Sequence, residues 1–217
     1  MPKTTFINLD DQKRATIEQA ATREFAAYGF YGARLNRIVE SAGIAKGSFY
    51  QYFEDLGDLY LHLLEQLADQ KLAVIHDILA QQVEADFFTQ YRLIFVASVR
   101  LLHGLSDDSR SLANHVPPFR DLDADRLIEM RKRGEDSVIT PMITRAIARG
   151  EITADSDFAF AVVTNTNRMI LQYLKSKVDS EKYSEIFKEG PDLDNAIDRF
   201  IIFLRAGLTA GHDQSES

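Results

Sequence analysis

No cysteine occurs in the 217 residues, which excludes disulfides, thiolate nucleophiles and cysteine-based zinc sites and suits a reducing cytosol. Five prolines and eleven glycines are few for this length, so little interrupts long regular helices. No apolar run approaches the roughly 18 residues that a membrane span requires. The opening stretch MPKTTFINLDDQKR has no apolar signal-peptide core. The expectation is a soluble, cytoplasmic protein without membrane contact.

Catalytic and metal signatures are also missing. There is no Gly-rich phosphate loop and no serine or histidine nucleophile motif. The five histidines, His62, His76, His103, His115 and His212, are scattered and show no metal-ligand spacing. DLDAD, residues 121–125, begins like a calcium loop, but Arg126 and Lys132 stand where the turn glycine and the bidentate acid are needed. No cofactor, no metal and no enzymatic activity are expected.

What is present is ordinary for a globular chain: 45% hydrophobic and 27% charged residues, enough for one large or two modest domains. Net charge is −8, yet it is unevenly spread. Residues 1–53 carry seven Lys/Arg against five acids, or +2, which leaves 18 bases against 28 acids, or −10, for the remainder. A mildly basic head on an acidic body allows the head alone to meet a polyanion.

Apolar periodicity is helical nearly throughout. Ile17, Ala21, Phe25 and Tyr28 share a stripe that Gly29 ends; Leu35, Ile38, Val39 and Ala42 make a short amphipathic helix that Gly43 ends. A helix over about 45–53 follows, then one over about 56–81 capped by Asp55, with Asp58 as a weak relative of the capping box. Further helices are expected over 84–104, 121–133, 136–149, about 156–178 and about 192–210, with a break at Pro117-Pro118. No segment alternates as a strand does, so the fold class is all-α. In the last helix Ile197, Phe200, Ile201, Leu204 and Leu208 form one stripe and Ile202 and Phe203 lie partly off it. A stripe wider than one core needs suggests a homodimer interface; a helix buried within its own subunit is the alternative.

The stretch AGIAKGSFYQYF, residues 42–53, carries too many rings for a solvated helix and too much polarity for a core. On a helical wheel Phe49 and Phe53 point inward, Gly47, Ser48 and Gln51 point outward, and Tyr50 and Tyr52 fall on the flanks. This suits a phosphate-flanked groove. Gly47 allows a phosphate close to backbone amides at the positive end of the helix. Lys46 adds charge, the tyrosine hydroxyls donate to phosphates, and Gln51 and Ser48 face base edges. The two short helices and the Gly43 turn read as a helix-turn-helix whose second helix enters the major groove. A helical hairpin with aromatic core filler is the plain alternative.

The stretch ATIEQAATREFAAYGFYGARLNRIVESAGIAKGSFYQYFEDLGDLY resembles the DNA-binding domain of the TetR (tetracycline-repressor-like) family of transcriptional regulators. The resemblance rests on Ala20 through Phe25, Gly29-Phe30, Ile38, residues 42–53 and Leu59. It implies a helix-turn-helix three-helix domain over 1–54 and a larger helical effector-binding and dimerisation domain over 55–217. It further implies a homodimer through the last two helices, a pseudo-palindromic double-stranded DNA operator and a small-molecule effector. By motif position Lys46, Gly47, Ser48, Tyr50 and Tyr52 resemble the family's contacting set, and Arg34 occupies another frequent contact position. Ala33 stands where the family often has Thr, and Leu56-Gly57 where Lys and an acid are common.

The body offers polar residues within apolar helices as effector candidates: Tyr91, Arg92, His103, Arg131, Asn165, Arg168 and Tyr173. Asn165 and Arg168, one turn apart, suit a single ligand. Satisfaction within the fold is the alternative for each. Two readings of the whole compete with a ligand-responsive repressor: a helical adaptor that binds protein, and a small all-α enzyme.

Overall fold

Capping side chains set most helix starts in the computed structural model, which describes residues 1–176 and 191–209. These residues form eleven α-helices and no strand: α1 Thr4–Ile7, α2 Asp11–Gly32, α3 Leu35–Ser41, α4 Lys46–Tyr52, α5 Leu56–Gln81, α6 Phe87–Gly104, α7 Asp107–Asn114, α8 Ala124–Gly134, α9 Thr140–Ala148, α10 Ser156–Lys175 and α11 Pro191–Thr209. Helix α5 has the span expected from its periodicity. The expected helices over 156–178 and 192–210 are α10 and α11; residues 177, 178 and 210 lie outside the described residues. Two short helices, α1 and α7, were not anticipated.

Asp10 accepts from the Lys13 amide at 2.8 Å to start α2, and Asp155 accepts from the Phe158 amide at 2.9 Å to start α10. At α5 the capping is reciprocal: Asp55 takes the Asp58 amide at 2.8 Å while Asp58 takes the Glu54 amide at 3.1 Å. Helix α2 bends where Gly29 adopts φ 66°, so its regular part stops at the expected glycine. Gly43, at φ 64°, ends α3. The Ile44 amide returns to the Val39 carbonyl at 3.0 Å and the Gly43 amide to Glu40 at 3.2 Å, a Schellman closure that makes the turn between α3 and α4.

The chain divides into two compact units: Met1–Lys71 with Gly104–Lys132, and Leu72–His103 with Arg133–Ser217. The expected boundary between residues 54 and 55 does not follow this packing. The first unit includes the start of α5 because Leu59, Tyr60, Leu61, Leu63 and Leu64 are buried in the same core as Ile17, Phe25, Ile38, Phe49 and Phe53. Leu112 of α7 and Leu127 of α8 join that core. Tyr60 sits edge-on to Phe25 and Phe30, at 4.9 and 5.2 Å. Its hydroxyl donates to the carbonyls of Leu112 and His115 at 3.1 and 3.2 Å.

In the second unit one core gathers Ile75, Phe87, Phe88, Tyr91, Met142, Ile143, Val163, Leu204 and Leu208. A smaller one holds Phe95, Val99, Ile170, Leu193, Ala196 and Ile197. The wide stripe of α11 splits as its width suggested. Ile197, Leu204 and Leu208 are buried, whereas Ile202 and Phe203 stand 68% and 61% exposed.

Candidate nucleic-acid interface

Helix α4 is seven residues long and opens with Lys46-Gly47. An isolated helix of this length is unstable in water, so tertiary contacts hold it. Phe49 and Phe53 are fully buried, as the wheel requires, with ring centroids 5.7 Å apart. Each such side chain contributes about 1.5–3 kcal/mol by burial.

The opposite face is open. Lys46, Gly47 and Gln51 are exposed and Ser48 is half-buried. Tyr50 is 49% exposed, its ring edge-on to Phe49 at 5.4 Å. A Cβ added at Gly47 would meet nothing within 4 Å. Internal packing therefore does not demand glycine there.

Tyr52 departs from its expected place on the flank. It is 6% exposed and packs against Phe6, with ring centroids 5.8 Å apart. The cause is α1, which crosses the end of α4. Phe6 is buried there, 4.6 Å from Phe53 and 5.3 Å from the His62 ring. The wheel considers α4 alone and has no knowledge of this neighbour.

Arg34 is the N-cap of α3 and its side chain is exposed. With Ala33 unable to supply a hydroxyl, a carboxylate from α2 takes over part of the capping. Glu24, 7% exposed, accepts from the Arg34 amide at 2.8 Å and from Arg37 Nε at 2.8 Å. Arg37 also donates to the Gly32 carbonyl at 2.8 Å and lies over the Tyr28 ring at 4.0 Å. Burial alone would raise the Glu24 carboxyl above its ordinary value. Hydrogen bonds from Arg37 and from the Arg34 amide outweigh burial and hold it lower, so it stays ionised. Glu24 was invisible in the sequence because an acid in mid-helix reads as a solvated face.

Leu56-Gly57, the other departure from the family pattern, starts α5 with Leu56 packed against the core of the first unit. Farther along, Arg126 of α8 is held between Asp58 and Glu65 of α5, at 2.5 and 2.7 Å. This cluster bonds α8 to α5 within the first unit and belongs to its architecture.

The residues singled out as effector contacts have different surroundings. Tyr91 is buried, with its hydroxyl 3.4 Å from the Val163 carbonyl. Arg92 pairs with Asp194 at 3.0 Å and Asp198 at 2.5 Å, so it fastens α6 to α11. Arg131 is exposed and lies in the first unit. Asn165 and Arg168 are exposed and hydrogen-bond each other. The His103 side chain lies outside the described residues, as does His212. Tyr173 lines a pocket of about 320 Å³ together with Met169, Ala196, Arg199, Phe200 and Phe203.

Comparison with known proteins agrees with this geometry. The pattern of the family described as "Bacterial regulatory proteins, tetR family" matches residues 17–63, which span α2 to α5. The HTH-type transcriptional regulator RutR of Escherichia coli (strain K12) is 39% identical over 61 residues, 28% of this chain and 29% of that protein. The chain thus matches under a third of the length of this curated relative. A solved TetR family transcriptional regulator from Chloroflexus aurantiacus J-10-fl is 28% identical with a TM-score of 0.61, covering 95% of this chain and 98% of that one. The transcriptional regulator FadR from Bacillus subtilis, solved in complex with stearoyl-CoA, shares the fold at 19% identity, with a TM-score of 0.65 and coverage of 89% and 98%. The helix-turn-helix closed by Gly43 thus lies in a stretch, residues 17–63, that is similar to the tetR family of bacterial regulatory proteins, and it is followed by an all-α body whose fold is shared with a solved regulator of that family.

Proposed function

We propose that this protein is a DNA-binding transcriptional regulator, a ligand-responsive repressor that sits as a homodimer on a pseudo-palindromic operator. Residues 1–54 act as the DNA-binding domain and residues 55–217 as the effector-binding and dimerisation domain, in the cytoplasm. The observation that carries this reading is the two-sided build of α4. Phe49, Tyr52 and Phe53 are buried while Lys46, Gly47, Tyr50 and Gln51 are exposed. Lys46 and Arg34 meet phosphates, Gly47 lets a phosphate approach the backbone, and Tyr50 donates from the flank. Ser48 and Gln51 meet base edges. Tyr52 acts by holding the helix in place.

The dimer forms through α10 and α11, whose exposed Phe158, Met169, Ile202 and Phe203 supply the apolar face. FadR, which shares the fold, was solved in complex with stearoyl-CoA, which supports this reading: here a small-molecule effector binds the helices of the second unit and changes the separation of the two heads. Among described residues no helix is long and apolar enough to cross a membrane.

The test is DNA binding at several salt concentrations, using fragments selected from the source genome. Affinity falls with a log-log slope of about −0.9 per phosphate neutralised. Lys46→Ala weakens binding to all sequences and lowers the slope by about 1. Gln51→Ala relaxes preference at one base pair per half-site, at about 1–3 kcal/mol. A flat salt response points instead to a protein-binding adaptor and overturns the proposal.

A further inference from the structure

The last carbonyls of a helix have no partner within it. In α4 these carbonyls are taken by a segment more than forty residues away in sequence. Lys3 Nζ donates to the Tyr50 carbonyl at 2.8 Å and the Lys3 amide to the Tyr52 carbonyl at 2.8 Å. The Thr5 hydroxyl donates to the Gln51 carbonyl. Phe6, buried among Tyr52, Phe53 and His62, pins the segment down.

We infer that the segment Lys3–Phe6 is a working part of the DNA-reading unit: it closes the carboxyl end of α4, and the Lys3 ammonium makes a further phosphate contact beside Tyr50. This rests on the DNA-binding reading above. A cation at a helix carboxyl end is favoured by the helix dipole. The Lys3 side chain is exposed, and an ammonium carries three donors. One holds the Tyr50 carbonyl, which leaves two for a phosphate. The residue it grips is the one whose ring stands out from the reading helix. Lys46 at the amino end and Lys3 at the carboxyl end thus bracket α4 with positive charge. Thr5 has no charge to offer DNA; its part is to hold the helix end in position.

The experiment measures binding of the full chain to a mixed-sequence duplex of about 30 base pairs, from about 50 to 200 mM salt. Wild type, Lys3→Ala, Lys3→Arg, Thr5→Val and Lys46→Ala are compared, each with its thermal midpoint. The expected result is a salt slope lower by about 1 for Lys3→Ala and retained by Lys3→Arg. Over a fourfold rise in salt the wild type then loses about 3.5-fold more affinity than Lys3→Ala. Thr5→Val weakens binding with the slope unchanged. An unchanged slope for Lys3→Ala, whatever its thermal midpoint, overturns the inference while a reduced slope for Lys46→Ala leaves the DNA reading standing. Absence of salt-dependent binding in the wild type removes both.

Discussion

Gly47→Ala separates folding from DNA binding, because the two respond with opposite sign. Gly47 is the second residue of α4. Its φ is not positive, in contrast to Gly29, Gly43 and Gly150, and a Cβ there meets nothing within 4 Å. The free protein thus accepts alanine without strain and gains about 0.4–1 kcal/mol, chiefly from a less flexible unfolded chain. For a chain of this size that raises the thermal midpoint by roughly 1–4 °C. In the DNA complex proposed above, the same methyl group stands where a phosphate oxygen approaches the backbone amides. Losing one hydrogen bond to a charged group costs about 1.5–3 kcal/mol, or about ten- to hundredfold in affinity per head. Calorimetry and fluorescence anisotropy on one preparation read both quantities. Undiminished DNA affinity in Gly47→Ala refutes the close approach at Gly47, and a lowered thermal midpoint refutes the open space seen around it.

Five further substitutions test the packing. Arg37→Ala leaves a carboxylate at 7% exposure without its cation, at a cost of about 3 kcal/mol. Glu24→Gln keeps an acceptor for the Arg34 amide and leaves a guanidinium at 35% exposure that water reaches, so it costs about 1–2 kcal/mol. In the wild type the depressed Glu24 pKa stabilises above the ordinary carboxylate range and is lost as pH falls through the folded value. Removing Arg37 takes away two of the influences that lower that pKa, so it rises relative to the wild type, and urea melts at pH 7 and pH 4 show the deficit of Arg37→Ala narrowing in acid. Tyr52→Ala removes a buried ring and costs about 3 kcal/mol or more; Tyr50→Ala costs under about 1 kcal/mol yet weakens DNA binding, as melting and anisotropy together report. Phe203→Glu places charge on the apolar face of α11 proposed as the dimer interface; sedimentation velocity at micromolar concentration is expected to give a monomer for the variant and a dimer for the wild type, and a wild-type monomer refutes the proposed interface.

Legibility differed by element for physical reasons. Long helices declare themselves through repeated apolar spacing, so α5 has its expected ends and α10 and α11 lie where expected. Helix α1, at four residues, is too short to show a period, and α7, with the sequence DDSRSLAN, has almost no apolar face to repeat. The turn at Gly43 was legible because a left-handed residue there all but requires glycine. Phe49 and Phe53 were legible because their spacing alone sends them inward. The effector residues were not legible. A polar side chain in an apolar helix looks the same whether it awaits a ligand or, like Arg92, is paired with Asp194 and Asp198.

Local sequence by itself determined the all-α class, the helix-turn-helix and the division of α4 into a buried and an exposed face, because each depends on neighbours within a turn or two. Tertiary structure alone decided the rest: that Tyr52 is buried under Phe6, that Lys3 and Thr5 close the end of α4, and that Glu24 caps α3 in place of a hydroxyl at position 33. These contacts join residues 10 to 50 positions apart. Such distances are set by how helices pack, which no local period records.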